Sequence, residues 1–124
     1  MATIKSFTSL EQSKKLAKIL PLESADMYYD DIVDSVTGEL FIPNDGSTIK
    51  VGKGLCGTIN AWSLAVLLDF LPFPQLSKDK LGSGKEGWMV SVYPDNCRYD
   101  SCWHDNPVDA CYEMILKLHE LNLL

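Results

Sequence analysis

A glycine-rich hexapeptide in the middle of the chain has the form of a phosphate-binding loop. Residues 52–57 read Gly-Lys-Gly-Leu-Cys-Gly and match the G-x-G-x-x-G pattern of dinucleotide-binding proteins. In those proteins a second parallel strand follows the helix and ends in an acidic residue about 20 residues later. Here Leu-Pro-Phe-Pro at 71–74 follows instead, and proline is excluded from central strands. The motif therefore predicts a glycine-bent connection, and we expect no cofactor.

The cysteine in this loop is the candidate nucleophile of an alternative, enzymatic hypothesis. Cys56 precedes a predicted helix, whose dipole favours a thiolate. A cysteine at a helix start with a downstream histidine, held by an amide or carboxylate, is the arrangement of papain-like and related cell-wall hydrolases. The alternative is thus a thiol hydrolase with Cys56 as nucleophile, His104 as base and Asn106 beside it. Because the spacing is not diagnostic, we favour a partly buried structural thiol at Cys56.

Two further groups of side chains carry donor atoms for metals. The zinc candidates are Cys97, Cys102, His104 and Cys111. The first two cysteines have four residues between them, which is the widest usual spacing, but Cys111 falls on the apolar stripe of a predicted helix. The aspartates within 26–34 lack the twelve-residue loop of a calcium site. We therefore predict no bound metal.

Composition and charge restrict the class of protein. The 124 residues suffice for one domain, so we expect a single domain over 1–124 with its own hydrophobic core. A net charge of -6 repels phosphate backbones and anionic lipids, so we predict binding to neither nucleic acid nor membrane. The N-terminal residues lack the apolar run of a secretory signal, which predicts a cytoplasmic protein with reduced thiols.

The segment Ile59–Leu71 is predicted to be a central buried helix that positions the loop before it. Its residues are apolar on nearly every side of a helical wheel, interrupted only by Asn60, Ser63 and Asp69. The segment is shorter than the roughly 20 apolar residues that a membrane span requires.

Two other helices have clear start signals. Ser9 with Gln12 fits a capping box, as does Thr8 with Glu11, for a helix that we expect Pro21 to end close to Leu20. Asn106 followed by Pro107 begins the last helix.

The remaining apolar runs predict strands. They comprise 39–42 and 48–51, joined as a hairpin by an Asp-Gly turn, together with 88–93 and 98–103. Residues 75–86 are polar and rich in glycine, which predicts a loop. These elements predict an α+β fold, with three helices packed on a small, mainly antiparallel sheet of three to five strands.

Two aromatic residues are candidates for an interaction surface. Phe73 lies between two prolines, and Trp103 lies between Cys102 and His104. An exposed aromatic side chain beside a stiff turn suits a protein interface.

Three segments together resemble a family of small proteins from gut anaerobic bacteria and their phages or mobile elements. They are Ala61–Leu68 with the following Leu71-Pro72, residues 106–115 (Asn-Pro-Val-Asp-Ala-Cys-Tyr-Glu-Met-Ile), and Ala25–Tyr29. The resemblance covers most of the chain, but it implies no activity, cofactor or ligand. Members of the family tend to carry cysteine where this chain has Ala61.

These observations lead to one functional hypothesis and one alternative. We expect a non-enzymatic, cytoplasmic accessory or interaction protein with an unidentified protein partner and an origin in a phage or mobile element. The alternative is the thiol hydrolase with Cys56 and His104.

Overall fold

The computed structural model describes residues 6–43, 48–54, 58–80, 82 and 84–124. Within these residues it contains three α-helices and three small antiparallel sheets, which confirms the predicted α+β class. The helices are α1 (Leu10–Leu16), α2 (Leu64–Phe70) and α3 (Pro107–Glu120). The strands are β1 (Met27–Tyr29), β2 (Ile32–Val33), β3 (Leu40–Phe41), β4 (Ile49–Val51), β5 (Ile59–Ala61), β6 (Gln75–Lys80), β7 (Glu86–Val92) and β8 (Tyr99–Asp100).

The chain divides into two compact units. One comprises Phe7–Ser63, and the other comprises Leu64–Leu124 together with Ser6. The expectation of a single domain over 1–124 stays a prediction, and each unit is described by itself.

Strand β1 is the centre of the first unit. It pairs antiparallel with β4 on one edge and with β5 on the other, so that Met27 lies opposite both Val51 and Ala61. Leu10 of α1, Tyr29 and Ala61 form a buried apolar cluster between this sheet and α1. Strands β2 and β3 form a separate two-stranded sheet that follows β1 along the chain.

A buried hydrogen-bond network links the start of α1 to the end of β5. The Thr8 N–H donates to the Trp62 carbonyl at 3.0 Å, and the Trp62 N–H donates to Thr8 Oγ1 at 3.1 Å. Thr8 Oγ1 also lies 2.7 Å from Ser13 Oγ, and the Tyr29 hydroxyl donates to the Thr8 carbonyl at 2.6 Å. Because these groups are buried, each bond satisfies a polar atom that water cannot reach.

The second unit combines α2 and α3 with the sheet β6–β7–β8. Strand β7 is central, with Val90 and Val92 fully buried, and α3 packs against it and against α2. The buried side of α3 consists of Pro107, Val108, Ala110, Cys111, Met114, Ile115 and Leu118. An isolated bridge also joins Trp88 to His104, each donating its backbone N–H to the other's carbonyl.

The predicted helix start signals are confirmed. Ser9 caps α1 with the capping box to Gln12, and the Asn106 side chain accepts the N–H of Asp109 at the start of α3. Helix α1 ends earlier than expected, at Leu16, so the prediction that it reaches Leu20 is wrong.

The prediction of one helix over Ile59–Leu71 is wrong for its first residues. Ile59–Ala61 is strand β5, and the helix begins at Leu64 and ends at Phe70. Within that helix only Leu67 is buried, so α2 is not the helix buried on nearly every side that the sequence predicted. The physical reason is that a short apolar run is compatible with the periodicity of a helix and with that of a strand. Pairing with the open edge of β1 then favours the strand.

Two strand predictions are also corrected. Strands β3 and β4 do not form a hairpin with each other, because β3 pairs with β2 and β4 pairs with β1. The Asp-Gly turn expected between them lies outside the described residues. Residues 75–80 are a strand instead of a loop, because their backbone pairs with β7 along its length. Their polar side chains suit an edge strand.

We predict that Thr8→Val lowers the free energy of unfolding by about 1–3 kcal/mol, because it leaves the buried Trp62 N–H and Ser13 hydroxyl without their Thr8 partner. The matched control is Thr48→Val. Among the described residues the Thr48 hydroxyl is a buried polar group without a hydrogen bond, so its removal should leave stability unchanged or raised. Urea denaturation measures the free energy of unfolding of both variants. Equal losses of stability in the two would contradict the role of the hydrogen-bond network.

Candidate functional site

The hairpin formed by β2 and β3 exposes apolar side chains on both of its faces. Ile32 lies opposite Phe41, and Val33 lies opposite Leu40. Opposed residues in an antiparallel pair share a face, so the two pairs lie on opposite faces. Ile32 and Phe41 are 42% and 44% exposed, whereas Val33 and Leu40 are 63% and 65% exposed. The face with Val33 and Leu40 is thus the more open one.

The loop that closes this hairpin is held by one aspartate. Asp34 Oδ1 accepts the N–H groups of Val36 at 2.7 Å and Thr37 at 3.1 Å. The Asp34 carbonyl accepts the Gly38 N–H, and Gly38 has a φ of 73°, in the left-handed region where glycine is not strained. Val36 lies at the tip of this ordered loop and is 91% exposed. We name Val33, Val36 and Leu40 the hairpin patch.

The negative charge of the chain is concentrated around this hairpin. Between Pro21 and Pro43 there are six acidic residues and no Lys or Arg, and the other eleven acidic residues are matched by eleven basic ones. The formal net charge of -6 therefore lies entirely in this segment. Its acidic residues are Glu23, Asp26, Asp30, Asp31, Asp34 and Glu39.

Several of these carboxylates have structural partners. Asp26 Oδ1 accepts the Ser63 N–H at 2.9 Å, and Asp30 forms an ion pair with Lys50 at 3.0 Å. The hydrogen bond from Lys50 lowers the pKa of Asp30, and the N–H groups of Val36 and Thr37 lower the pKa of Asp34. Both groups are therefore ionised at neutral pH, and Asp34 places a fixed negative charge at the hairpin loop.

The two aromatic residues predicted to form an interaction surface are both exposed. Phe73 is 79% exposed and has a φ of 49°, which costs an aromatic residue about 1–2 kcal/mol relative to a right-handed conformation. The Tyr93 N–H donates to the Pro72 carbonyl and anchors this turn. Trp103 is exposed on the segment between Cys102 and His104. Their role in binding stays a prediction.

His104 is held by a carboxylate that the sequence did not single out. Its Nε2 lies 3.0 Å from Glu113 Oε1, while Glu113 Oε2 accepts the Cys102 N–H at 2.9 Å. Partial burial acts to raise the pKa of Glu113, but the Cys102 N–H and His104 outweigh it, so that the pKa is lowered. Glu113 thereby connects α3 to the segment beside β7. A glutamate on a predicted helix gives no local signal for such a contact, because its partners are nine and eleven residues away.

Asn106 has a different partner from the one that the hydrolase hypothesis requires. Its Oδ1 accepts the Asp109 N–H, and its Nδ2 donates to Asp109 Oδ2 at 2.8 Å. The orienting contact to the His104 ring comes from Glu113 instead. Cys56, the proposed nucleophile, lies outside the described residues.

The four zinc candidates have dissimilar environments. Cys97 and Cys102 are exposed, whereas Cys111 is fully buried, and burial raises the pKa of its thiol to about 12. That thiol is protonated at neutral pH, which opposes metal ligation. In the part of the chain that the structure describes, no three acidic, histidine or cysteine side chains are grouped to hold a metal ion.

The comparisons with known proteins give no further assignment. Neither protein-family models, nor curated proteins, nor solved structures match the chain. None of the described helices has the length and apolar character required to cross a bilayer.

We predict that Glu113→Gln makes stability less dependent on pH in the acid range. Because the pKa of Glu113 is lowered in the folded state, the unfolded state binds more protons in the acid range. The contribution of Glu113 to the free energy of unfolding is therefore present above its ordinary pKa near 4.5, and it is lost as the pH falls through the pKa of the folded state. Glutamine keeps an acceptor for the Cys102 N–H but cannot titrate. Urea denaturation from neutral to acidic pH should therefore show a smaller loss in E113Q than in the exposed-site control Glu120→Gln.

Proposed function

We propose that the protein is a non-catalytic accessory protein that binds another protein through the hairpin patch. The observation that carries the proposal is the open, apolar hairpin Ile32–Phe41, whose loop is ordered by Asp34. An ordered loop holds Val33, Val36 and Leu40 at the surface. Exposed apolar side chains grouped in this way are typical of protein interaction sites.

Burial of these three side chains against a partner stabilises the complex. Full burial of a valine or leucine side chain contributes about 1.5–3 kcal/mol, so three of them supply several kcal/mol toward association. Because the loop is already hydrogen-bonded, little conformational entropy is lost when a partner docks. Phe73 and Trp103 are further candidates for binding a partner, each exposed in the unit Leu64–Leu124. The cytoplasmic location and the origin in a phage or mobile element stay predictions from the sequence.

We predict that Val33→Thr with Leu40→Thr removes partner capture while the protein stays folded. Threonine is β-branched and favours strands. It replaces a methyl group of Val33 with a hydroxyl and shortens the side chain at Leu40, and both positions are largely exposed. Tagged wild-type and variant proteins are incubated with lysate of the source cells, and the bound proteins are quantified by mass spectrometry. A specific partner should be depleted at least several-fold by the double substitution.

The matched control for this experiment is Val51→Thr. Val51 is 82% exposed on β4 in the same unit but is not part of the hairpin. The Val51→Thr variant should capture the partner as the wild-type protein does. Equal capture by the double variant and the wild type would remove the hairpin patch from the binding surface.

A second candidate function is the thiol hydrolase with Cys56 as nucleophile. One observation favours it: Glu113 holds Nε2 of His104 and so fixes the orientation of the imidazole. A general base held in this way is the second part of a nucleophile–base pair.

We predict that Cys56 reacts with iodoacetamide no faster than a model thiol at neutral pH, because the accessory function needs no activated thiolate. Mass spectrometry of peptides locates the alkylated cysteines over a range of pH, and Cys97 and Cys102 serve as exposed internal standards. Fast alkylation of Cys56 that is lost in His104→Ala, with the standards unchanged, would favour the hydrolase instead.

A further inference from the structure

The register and charge of the hairpin indicate what kind of partner segment it binds. We infer that its occupant is an extended segment of a partner protein, with alternating apolar and basic side chains, that adds as a strand to one edge of the hairpin. This inference rests on the proposed function and specifies the chemistry of the partner.

The hairpin offers an edge for strand addition. In the described part of the chain, β2 and β3 form a sheet of two strands, so each has an outer edge without a neighbouring strand. The peptide N–H and C=O groups of such an edge can pair with a further extended segment. Two-stranded sheets are marginally stable by themselves, so a third strand also stabilises the hairpin.

The two faces of the hairpin differ in charge at its loop end. The Asp34 N–H donates to the Glu39 carbonyl at 2.8 Å, which continues the pairing by one residue beyond Val33 and Leu40. Side chains alternate between faces along a strand, so Asp34 and Glu39 lie on the face opposite to Val33 and Leu40. One face is therefore apolar at this end, and the other is acidic.

The side chains of an added strand alternate between the same two faces of the hairpin. On the β2 edge its side chains alternate between a position beside Val33 on one face and positions beside Ile32 and Asp34 on the other. On the β3 edge the corresponding residues are Leu40 on one face, and Phe41 and Glu39 on the other. Apolar residues complement Val33 or Leu40. Lys or Arg complements the other face, because its aliphatic stem packs beside Ile32 or Phe41 while its charge lies near Asp34 or Glu39. A segment with an apolar–basic period of two therefore matches both faces.

The same charges disfavour a second copy of this chain as the occupant. Residues 21–43 carry six acidic residues and no basic ones, so pairing two hairpins brings like charges together. Lys50 offsets the charge of Asp30, whereas the ion pairs among the described residues include neither Asp34 nor Glu39.

The first test uses a peptide of alternating valine and lysine, with a peptide of alternating valine and glutamate as its counterpart. Titration calorimetry with the full-length protein should show binding of the lysine peptide, weakening as salt is raised, and at least tenfold weaker binding of the glutamate peptide. Backbone amide NMR shifts on binding should concentrate within residues 31–42. Shifts spread over the acidic surface elsewhere would overturn the assignment to the hairpin.

The second test separates local charge from net charge. Asp34→Asn with Glu39→Gln removes two negative charges, and the introduced asparagine side chain keeps a carbonyl oxygen to accept the Val36 and Thr37 N–H groups. Asp69→Asn with Glu120→Gln removes the same charge from exposed sites outside the hairpin. The hairpin variant should bind the lysine peptide about three- to tenfold more weakly, and the control should match the wild type. Equal affinities for the two variants overturn the inference.

Failure of this inference is distinguishable from failure of the proposed function. If Val33→Thr with Leu40→Thr removes lysate capture but the lysine peptide does not bind, the partner's chemistry is wrong and the docking surface stands. If capture is also unchanged, both proposals fail. If sedimentation shows a dimer that the same double variant abolishes, the occupant is a second copy of this chain.

Discussion

The pairing of β1 on both of its edges is the interaction on which the first unit depends. Met27–Tyr29 is hydrogen-bonded to β4 and to β5, which come from distant parts of the sequence. With both edges of β1 occupied, the apolar residues that follow it cannot pair with β1. Ile32 and Val33 instead turn back on Leu40 and Phe41, and the hairpin they form keeps its apolar side chains at the surface.

Hydrogen bonds between buried polar groups stabilise the arrangement of the first unit. Thr8 connects the approach to α1 with Trp62 and Ser13, and its carbonyl also accepts the Tyr29 hydroxyl. A buried polar group without a partner costs about 1–3 kcal/mol, so this network favours one register of β5 beside α1 over any slipped alternative.

Two carboxylates of the second unit also have structural partners. Asp100 accepts hydrogen bonds from Ser91 and Arg98, which lower its pKa, and Glu113 joins His104 to the Cys102 backbone. These contacts connect both carboxylates to the sheet β6–β7–β8 or to the segments beside it. The hairpin patch differs, because its apolar side chains are exposed and do not contribute to the core of this chain.

Local signals in the sequence determined the helix starts and the class of fold. Ser9, Asn106 and Pro107 act within their own helices through caps and a preset φ, so neighbouring residues suffice to predict them. The acidic character around the hairpin is likewise a property of the sequence itself.

Tertiary structure decided which strands pair and which apolar residues stay exposed. Ile59–Ala61 satisfied a helical pattern as well as a strand pattern, and only the free edge of β1 made it a strand. Gln75–Lys80 has little strand character of its own but pairs with β7. Val33 and Leu40 are as apolar as core residues, and their exposure is a property of the folded chain that their own sequence pattern does not reveal.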